Sequence, residues 1–314
     1  MMTGSRTTYL ARTMYLAALA GGAGLALTAI LVIPGVTQST PRPALPAGQV
    51  AFGVYDPDGV FAGDTGVRIE HVFMPWRHSD LGSLAKADHY ARQYGRDLLV
   101  TVEPWSWAPA ANPPADRLLA DILAGAEDGT VKAVCVAVGG LQSPVTIRWA
   151  HEMDLRNGRF PWAAWSPQDY AAAYRHVVTE CRKYAPQARF MWSPRGEAGL
   201  EAYYPGDAYV DTIGLTVLDL QQYDIDRYGH ARSFEEALRP AYERVAPYGR
   251  PIVVAELGFR GDEAFTAQWE RDMRTIGEAF PGLAAVIYFN EVETYAWPAP
   301  YGRPDWRLQR GLVN

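Results

Sequence analysis

The chain has 314 residues, of which 48% are hydrophobic, 12% aromatic and 20% charged, with a net charge of −6. This composition excludes a disordered polymer, and the absence of a basic run excludes a nucleic-acid binder held through phosphate contacts. Two cysteines, Cys135 and Cys181, exclude a disulfide framework and a cysteine-rich zinc site, and leave open one bridge in an oxidising compartment.

From the N-terminus, Arg6 and Arg12 precede an uncharged apolar stretch from Met14 to Ile33 that stops at Pro34. About twenty apolar residues match the hydrocarbon thickness of a bilayer. Arginines ahead of such a stretch favour the N-terminus inside and the remainder outside. The expectation is a retained membrane anchor, with a cleaved signal peptide as the alternative. Either places the rest of the chain outside the cytoplasm. Residues 34–48 are rich in Pro, Thr, Ser and Ala, a linker composition. The expected organisation is therefore 1–33 targeting or transmembrane segment, 34–48 linker and 49–314 catalytic domain.

Beyond residue 48, short apolar runs alternate with helical patterns. The runs are Val50–Tyr55, Val67–Met74, Leu98–Glu103, Val145–His151, Arg189–Ser193, Thr212–Leu218, Ile252–Glu256 and Ala284–Phe289. Helix-like stretches include Leu84–Tyr94, Pro167–Tyr184, Phe234–Ala246 and Phe265–Ala279. Ser166-Pro167 supplies an N-cap followed by proline at the first helical position, and Ser233 with Glu236 has capping-box spacing. Strand–helix alternation predicts a parallel sheet, and eight such units in this length predict a (β/α)8 barrel, a TIM barrel. An open doubly wound sheet is the runner-up. It usually carries a glycine-rich phosphate loop after its first strand, and Gly53-Val54-Tyr55-Asp56-Pro57-Asp58-Gly59 is not one.

A barrel places its chemistry at the C-terminal ends of the strands. There the sequence concentrates Trp76, Glu103, Trp105, His151, Glu152, Asp154, Trp192, Asp219, Glu256 and Asn290. Glu152 and Glu256 stand out, since each closes a nearly continuous apolar run on the fourth and seventh strands. A pair of carboxyls facing each other across a barrel mouth suits glycosidic bond cleavage. One protonates the leaving oxygen, and the other attacks the anomeric carbon or activates water. The first role needs a raised pKa in Glu152, and the second an ionised Glu256. Strand alternation points Arg148 into the barrel, where it faces the cleft carboxylates or forms a purely structural ion pair. Glu103 is a third carboxylate able to compete for either role. Ten tryptophans and 18 tyrosines suit either a large core or sugar-stacking surfaces.

Several motifs resemble glycoside hydrolase family 26, typified by β-mannanases, within the clan of (β/α)8 retaining glycosidases. They are Arg148-Trp149-Ala150-His151-Glu152-Met153-Asp154 followed by Phe160-Pro161-Trp162, then Trp192-Ser193-Pro194 with Tyr203-Tyr204-Pro205-Gly206-Asp207. Ala255-Glu256-Leu257-Gly258 and Phe289-Asn290 complete the series. The resemblance implies Glu152 as general acid/base, Glu256 as nucleophile, His151 beside them, Trp162 as a sugar-stacking ring and Tyr223 as a tyrosine contacting the nucleophile. Trp76, Trp105 and Trp192 either line the cleft or belong to the core. It implies a retaining endo-β-glycanase acting on β-mannan or a related β-glucan or exopolysaccharide, with no cofactor. A catalytically weak polysaccharide-binding barrel and a transglycosidase remain alternatives.

Two departures bear on the substrate. Asp154 stands where the family pattern has Asn, and Leu155-Arg156-Asn157-Gly158-Arg159 lengthens the spacer before Phe160. Both lie where substrate is expected to be read. The six histidines (71, 78, 89, 151, 176 and 230) include no His-x-x-x-His pair, so no metal is expected, and no loop suggests a nucleotide.

Overall fold

Eight strands pair in parallel and in chain order, the last with the first, closing a barrel. The strands are β1 (Ala51–Tyr55), β2 (Val67–Pro75), β3 (Asp97–Glu103), β4 (Val145–Trp149), β5 (Arg189–Trp192), β6 (Thr212–Leu220), β7 (Ile252–Arg260) and β8 (Leu283–Phe289). Among the described residues, seven helices follow the same order: α1 (Gly82–Gln93), α2 (Ala115–Leu123), α3 (Asp128–Gly139), α4 (Pro167–Arg182), α5 (Gln221–Tyr228), α6 (Phe234–Val245) and α7 (Glu263–Ala279). This is the (β/α)8 barrel expected from the alternation. The computed structural model describes Leu45 and residues 49–308. The apolar stretch 14–33 lies outside the described residues. Among the described residues, no helix is long and apolar enough to cross a membrane.

The strands form because both faces are covered. In β3 every residue from Leu98 to Glu103 is buried, a pattern that parallel sheets require. Inside the barrel, Leu99, Met191, Val253, Ala255, Ala285 and Ile287 pack as a separate small cluster. The larger core lies between the sheet and the surrounding helices. Gly214 is fixed by this interior. A Cβ there would meet the Met191 sulfur and the Ser193 hydroxyl at 2.6 Å, and Ser193 is needed by the site.

The helix starts follow the sequence. Ser166 accepts a hydrogen bond from Asp169 N at 3.1 Å, and both halves of the Ser233–Glu236 capping box are present. Helix α3 has no such local signal, because its valines and glycines are poor helix formers. Its buried face of Val131, Val134, Cys135 and Val138 secures it by packing instead. That face brings Cys135 of α3 to Cys181 of α4. The two form a disulfide with Cα atoms 5.3 Å apart.

Two strands differ from expectation where it matters. β4 stops at Trp149, so His151 lies beyond the strand, whereas β7 runs on past Glu256 to Arg260.

Candidate active site

Glu152 is positioned by a contorted turn. Ala150 and Glu152 have φ of 47° and 55°, in the left-handed region that non-glycine residues avoid. Each costs about 1–2 kcal/mol. The neighbouring strands hold the turn: Ala150 N donates to Val102 O at 3.2 Å and Glu152 N to Ser193 O at 2.7 Å. From outside the sheet, Tyr170 Oη donates to Ala150 O and Trp162 Nε1 to His151 O.

Glu256 reaches the same region from within β7. Its register partner on β6 is Thr216, and the ladder to β8 is interrupted between Val254 and Leu257. Such a bulge re-aims a side chain and bends the strand. Arg148, fully buried inside the barrel, donates from Nη1 to Glu256 Oε1 at 2.6 Å and from Nε to Ser193 Oγ at 2.8 Å. Its Nη2 reaches Thr216 Oγ1 at 3.4 Å. Of the two roles left open for Arg148, the structure has it paired with Glu256. Thr216 also hydrogen-bonds Glu152, so it joins both carboxyls to the same arginine.

The two carboxyls titrate as a coupled pair, whose protonation steps belong to both. Burial pushes Glu256 up to about 7; the Arg148 charge opposes this and the Glu152 charge adds to it. Burial also acts on Glu152, but the charges of Arg195, Arg159 and Arg148 outweigh it and hold that carboxyl below its usual value. This reverses the expected division, which gave Glu152 the raised pKa. The reason is that Arg195 and Arg159 crowd around Glu152. His151 is kept neutral by burial and by the charges of Arg148 and Arg159. Burial raises Glu103, against hydrogen bonds from the indoles of Trp105 and Trp107. With both indoles donating to it, Glu103 is committed to its neighbours.

A cleft of about 510 Å³ opens over Glu152 and Thr216. Tyr223 of α5 lines it together with Tyr295 and Trp297. The Tyr223 ring stands edge-on to Trp297 at 5.1 Å and to Tyr301 at 5.2 Å. These contacts place it in the cleft wall. Trp105 is half-buried beside Glu103.

Of the other tryptophans, Trp162 differs from the expected stacking ring, while Trp76 and Trp192 take the core alternative. Trp162 is fully buried, stacked on Phe160 at 4.7 Å and capped edge-on by Trp105. Its indole N–H is used on His151 O, and no face is open to a sugar. Trp76 and Trp192 are likewise core, packed against Trp149 and against Tyr204 and Tyr248. Asp154 also differs. Its carboxylate accepts the backbone N–H groups of Arg195, Gly196 and Glu197 at 2.6, 2.9 and 2.8 Å. It is a clamp for the loop after β5 and not a reader of substrate. Three N–H donors suit an acceptor-only carboxylate better than an amide.

The cleft also contains residues that the sequence did not mark. Arg159, at the end of the lengthened spacer, pairs with Glu293 at 3.4 Å and stacks over Tyr295 at 4.5 Å. The charges of Glu152, Glu293, Glu256 and Glu103 all act on it. Arg195, Thr216 and the pair Glu293 and Trp297 lie on three different segments, the loop after β5, β6 and the stretch after β8, and no short motif links the three. Among the described residues, no cluster of three His, Cys, Asp or Glu is arranged to hold a metal ion.

Fold and site together define a (β/α)8 barrel with a buried glutamate pair and a partner arginine at the C-terminal end of its strands. Residues 129–238 match the family model described as glycosyl hydrolase family 26; the stretch includes Glu152 and ends before Glu256. In its motifs and over that stretch the chain is similar to family 26. A β-1,3-xylanase of a Vibrio species is 27% identical over 212 residues, covering 60% of this chain and 45% of its own length. Endoglucanase H of Acetivibrio thermocellus is 24% identical over 255 residues, 76% of this chain and 26% of its own length. The chain thus spans less than half of these relatives. Among solved structures, an endo-β-1,4-mannanase of Cellulomonas fimi superposes with a TM-score of 0.60 at 19% identity, over 78% of this chain and 66% of that one. A Bacillus subtilis mannanase does so at 0.56 and 16% identity, over 78% and 81%. These likenesses are of fold.

Proposed function

We propose that this protein is a glycoside hydrolase, a retaining endo-β-glycanase with Glu256 as nucleophile and Glu152 as acid/base. The observation that carries the reading is the Arg148–Glu256 ion pair beside a coupled Glu152. One carboxylate is oriented by a buried guanidinium, and the other lies in the wall of an aromatic-edged cleft. In the first step a Glu256 oxygen attacks the anomeric carbon while Glu152 gives its proton to the leaving oxygen. In the second, Glu152 takes a proton from water, which displaces Glu256. The coupled pair holds one proton up to about pH 7. A substrate oxygen that hydrogen-bonds Glu152 draws this proton to it, and Arg148 stabilises the charge left on Glu256. The names of the relatives support a β-linked glycan: a β-1,3-xylanase, an endoglucanase and mannanases.

The apolar stretch Met14–Ile33 supports a membrane-anchored barrel facing outside the cytoplasm, with residues 34–48 as linker and 49–314 as the catalytic domain. The Cys135–Cys181 disulfide supports an oxidising compartment.

The test is reducing-end release by the full-length protein from mannan, mixed-linkage β-glucan, β-1,3-xylan and cellulose, beside Glu256→Gln and Glu152→Gln. Release lost by about a thousandfold or more in Glu256→Gln, with the anomeric configuration retained in the wild-type product, is the expected result. Inverted product, or activity unaffected by Glu256→Gln, overturns it.

A further inference from the structure

We propose that the cleft is built for an acidic glycan, with Arg227 and Arg244 reading carboxylate or sulfate groups on the sugars; this rests on the glycanase reading. The protein carries a net charge of −6, yet five arginines line this one cleft: Arg159, Arg195, Arg227, Arg232 and Arg244. Three of them have acidic counter-charges. Arg159 pairs with Glu293, Arg232 bridges the buried carboxylates of Asp219 and Asp224 at 2.9 Å each, and the charge of Arg195 acts on Glu152. Among the described residues, the other two form no ion pair with a carboxylate.

Both keep donors to spare. Arg244, half-buried on α6, donates from Nη1 to Gly196 O at 2.9 Å and to Pro240 O at 3.0 Å, so it sits beside the loop after β5. Arg227, exposed on α5, lies over the ring of Tyr228 at 5.7 Å and hydrogen-bonds that tyrosine. A guanidinium has five N–H groups, and these contacts leave most of them free. The acids on the same lining are Glu152 and Glu293, already engaged, and the exposed Glu197.

A neutral sugar offers hydroxyls, which lysine-free aromatic clefts bind well by stacking and neutral hydrogen bonds. Unpaired guanidiniums in a concave site are costly for such a ligand, because they lose water without gaining an opposite charge. A carboxylate or sulfate repays that cost by accepting two parallel N–H bonds. Tyr223, Tyr295 and Trp297 in the same cleft supply the ring-stacking surface that a glycan also needs.

The experiment uses the full-length Glu256→Gln protein and three probes made from one mixed-linkage β-glucan: the neutral polymer, the polymer oxidised to carboxylate at C6, and the polymer sulfated at C6. Binding is measured by calorimetry at about 50 and 500 mM salt. The expected result is about tenfold tighter binding of a charged form over the neutral one, shrinking at high salt. The better of the two charged forms identifies the acid group. Arg227→Gln, at an exposed position that leaves the fold unaffected, is expected to lose about threefold of that preference, and Arg227→Gln with Arg244→Gln most of it. Equal binding of all three probes, or a preference unmoved by these variants, overturns the inference. Wild-type reducing-end release separates the two readings. Cleavage of neutral glucan without charge preference refutes only the acidic-glycan inference. Arginine-dependent binding without cleavage of any probe refutes only the hydrolysis.

Discussion

Glu256→Gln offers a test of the site's electrostatics that needs no substrate. Burial and the nearby Glu152 raise the Glu256 carboxyl from 4.5 to about 7 in the folded protein. Between those two values the folded chain binds a proton that the unfolded chain has already released. Stability therefore falls as pH rises through this window and levels off above it. At about 1.4 kcal/mol per pH unit, the wild type loses about 3 kcal/mol between about pH 4.5 and 7 through this group. Glutamine cannot ionise, and with it gone the lone Glu152 carboxylate is left among Arg195, Arg159 and Arg148. The variant should show no step in this range. Glu152, whose folded pKa is lowered, contributes stability that is lost only as pH falls below the ordinary carboxylate range. Glu70 and Asp219, raised to about 7 and about 8, titrate in the same window in both proteins and cancel in the difference. The measurement is urea unfolding of both proteins, with the disulfide intact, at half-unit intervals from pH 4.5 to 8. Whatever offset the loss of Arg148's partner causes, the variant's stability relative to wild type should rise by about 3 kcal/mol across the range. A difference that stays flat to within about 1 kcal/mol refutes the raised, shared proton. It also removes the source of the proton that the proposed acid step uses.

Three further outcomes follow from the packing. Asp154→Ala strips three backbone N–H groups of their acceptor and should cost about 2–3 kcal/mol of stability, read by denaturant unfolding; a change below about 0.5 kcal/mol refutes the clamp. Trp162→Ala should destabilise by about 3–5 kcal/mol because the ring is core. A raised KM with unchanged stability would instead return Trp162 to the cleft as a stacking surface. Replacing Cys135 and Cys181 together by alanine opens a link across 46 residues of chain and should cost about 2–4 kcal/mol. An unchanged unfolding midpoint under oxidising conditions would show that the bridge is not formed.

Sequence alone determined the barrel. Parallel strands buried on both faces must be continuous apolar runs, and the connecting helices must be amphipathic, so β3 or α6 can be read locally from period and caps. Glu152 and Glu256 were singled out for a related reason, as ionisable residues after apolar runs, although β4 stops three residues before Glu152 and β7 continues four residues past Glu256. Arg148 could be placed inside by strand alternation, but not paired. What tertiary structure alone decided depends on contacts between segments far apart in the chain. The bulge in β7 that turns Glu256 toward Arg148 arises from register against β6 and β8. The burial of Trp162, Trp76 and Trp192 depends on which neighbours cover them, and a tryptophan at a strand end has the same local signature whether it is covered or open. Helix α3 is held by its packed face, against the preference of its own valines. The arginines of the cleft come from the spacer before Phe160, the loop after β5, helices α5 and α6 and the turn between those helices. Their charges converge only through the fold, so only the structure could assemble them into one wall.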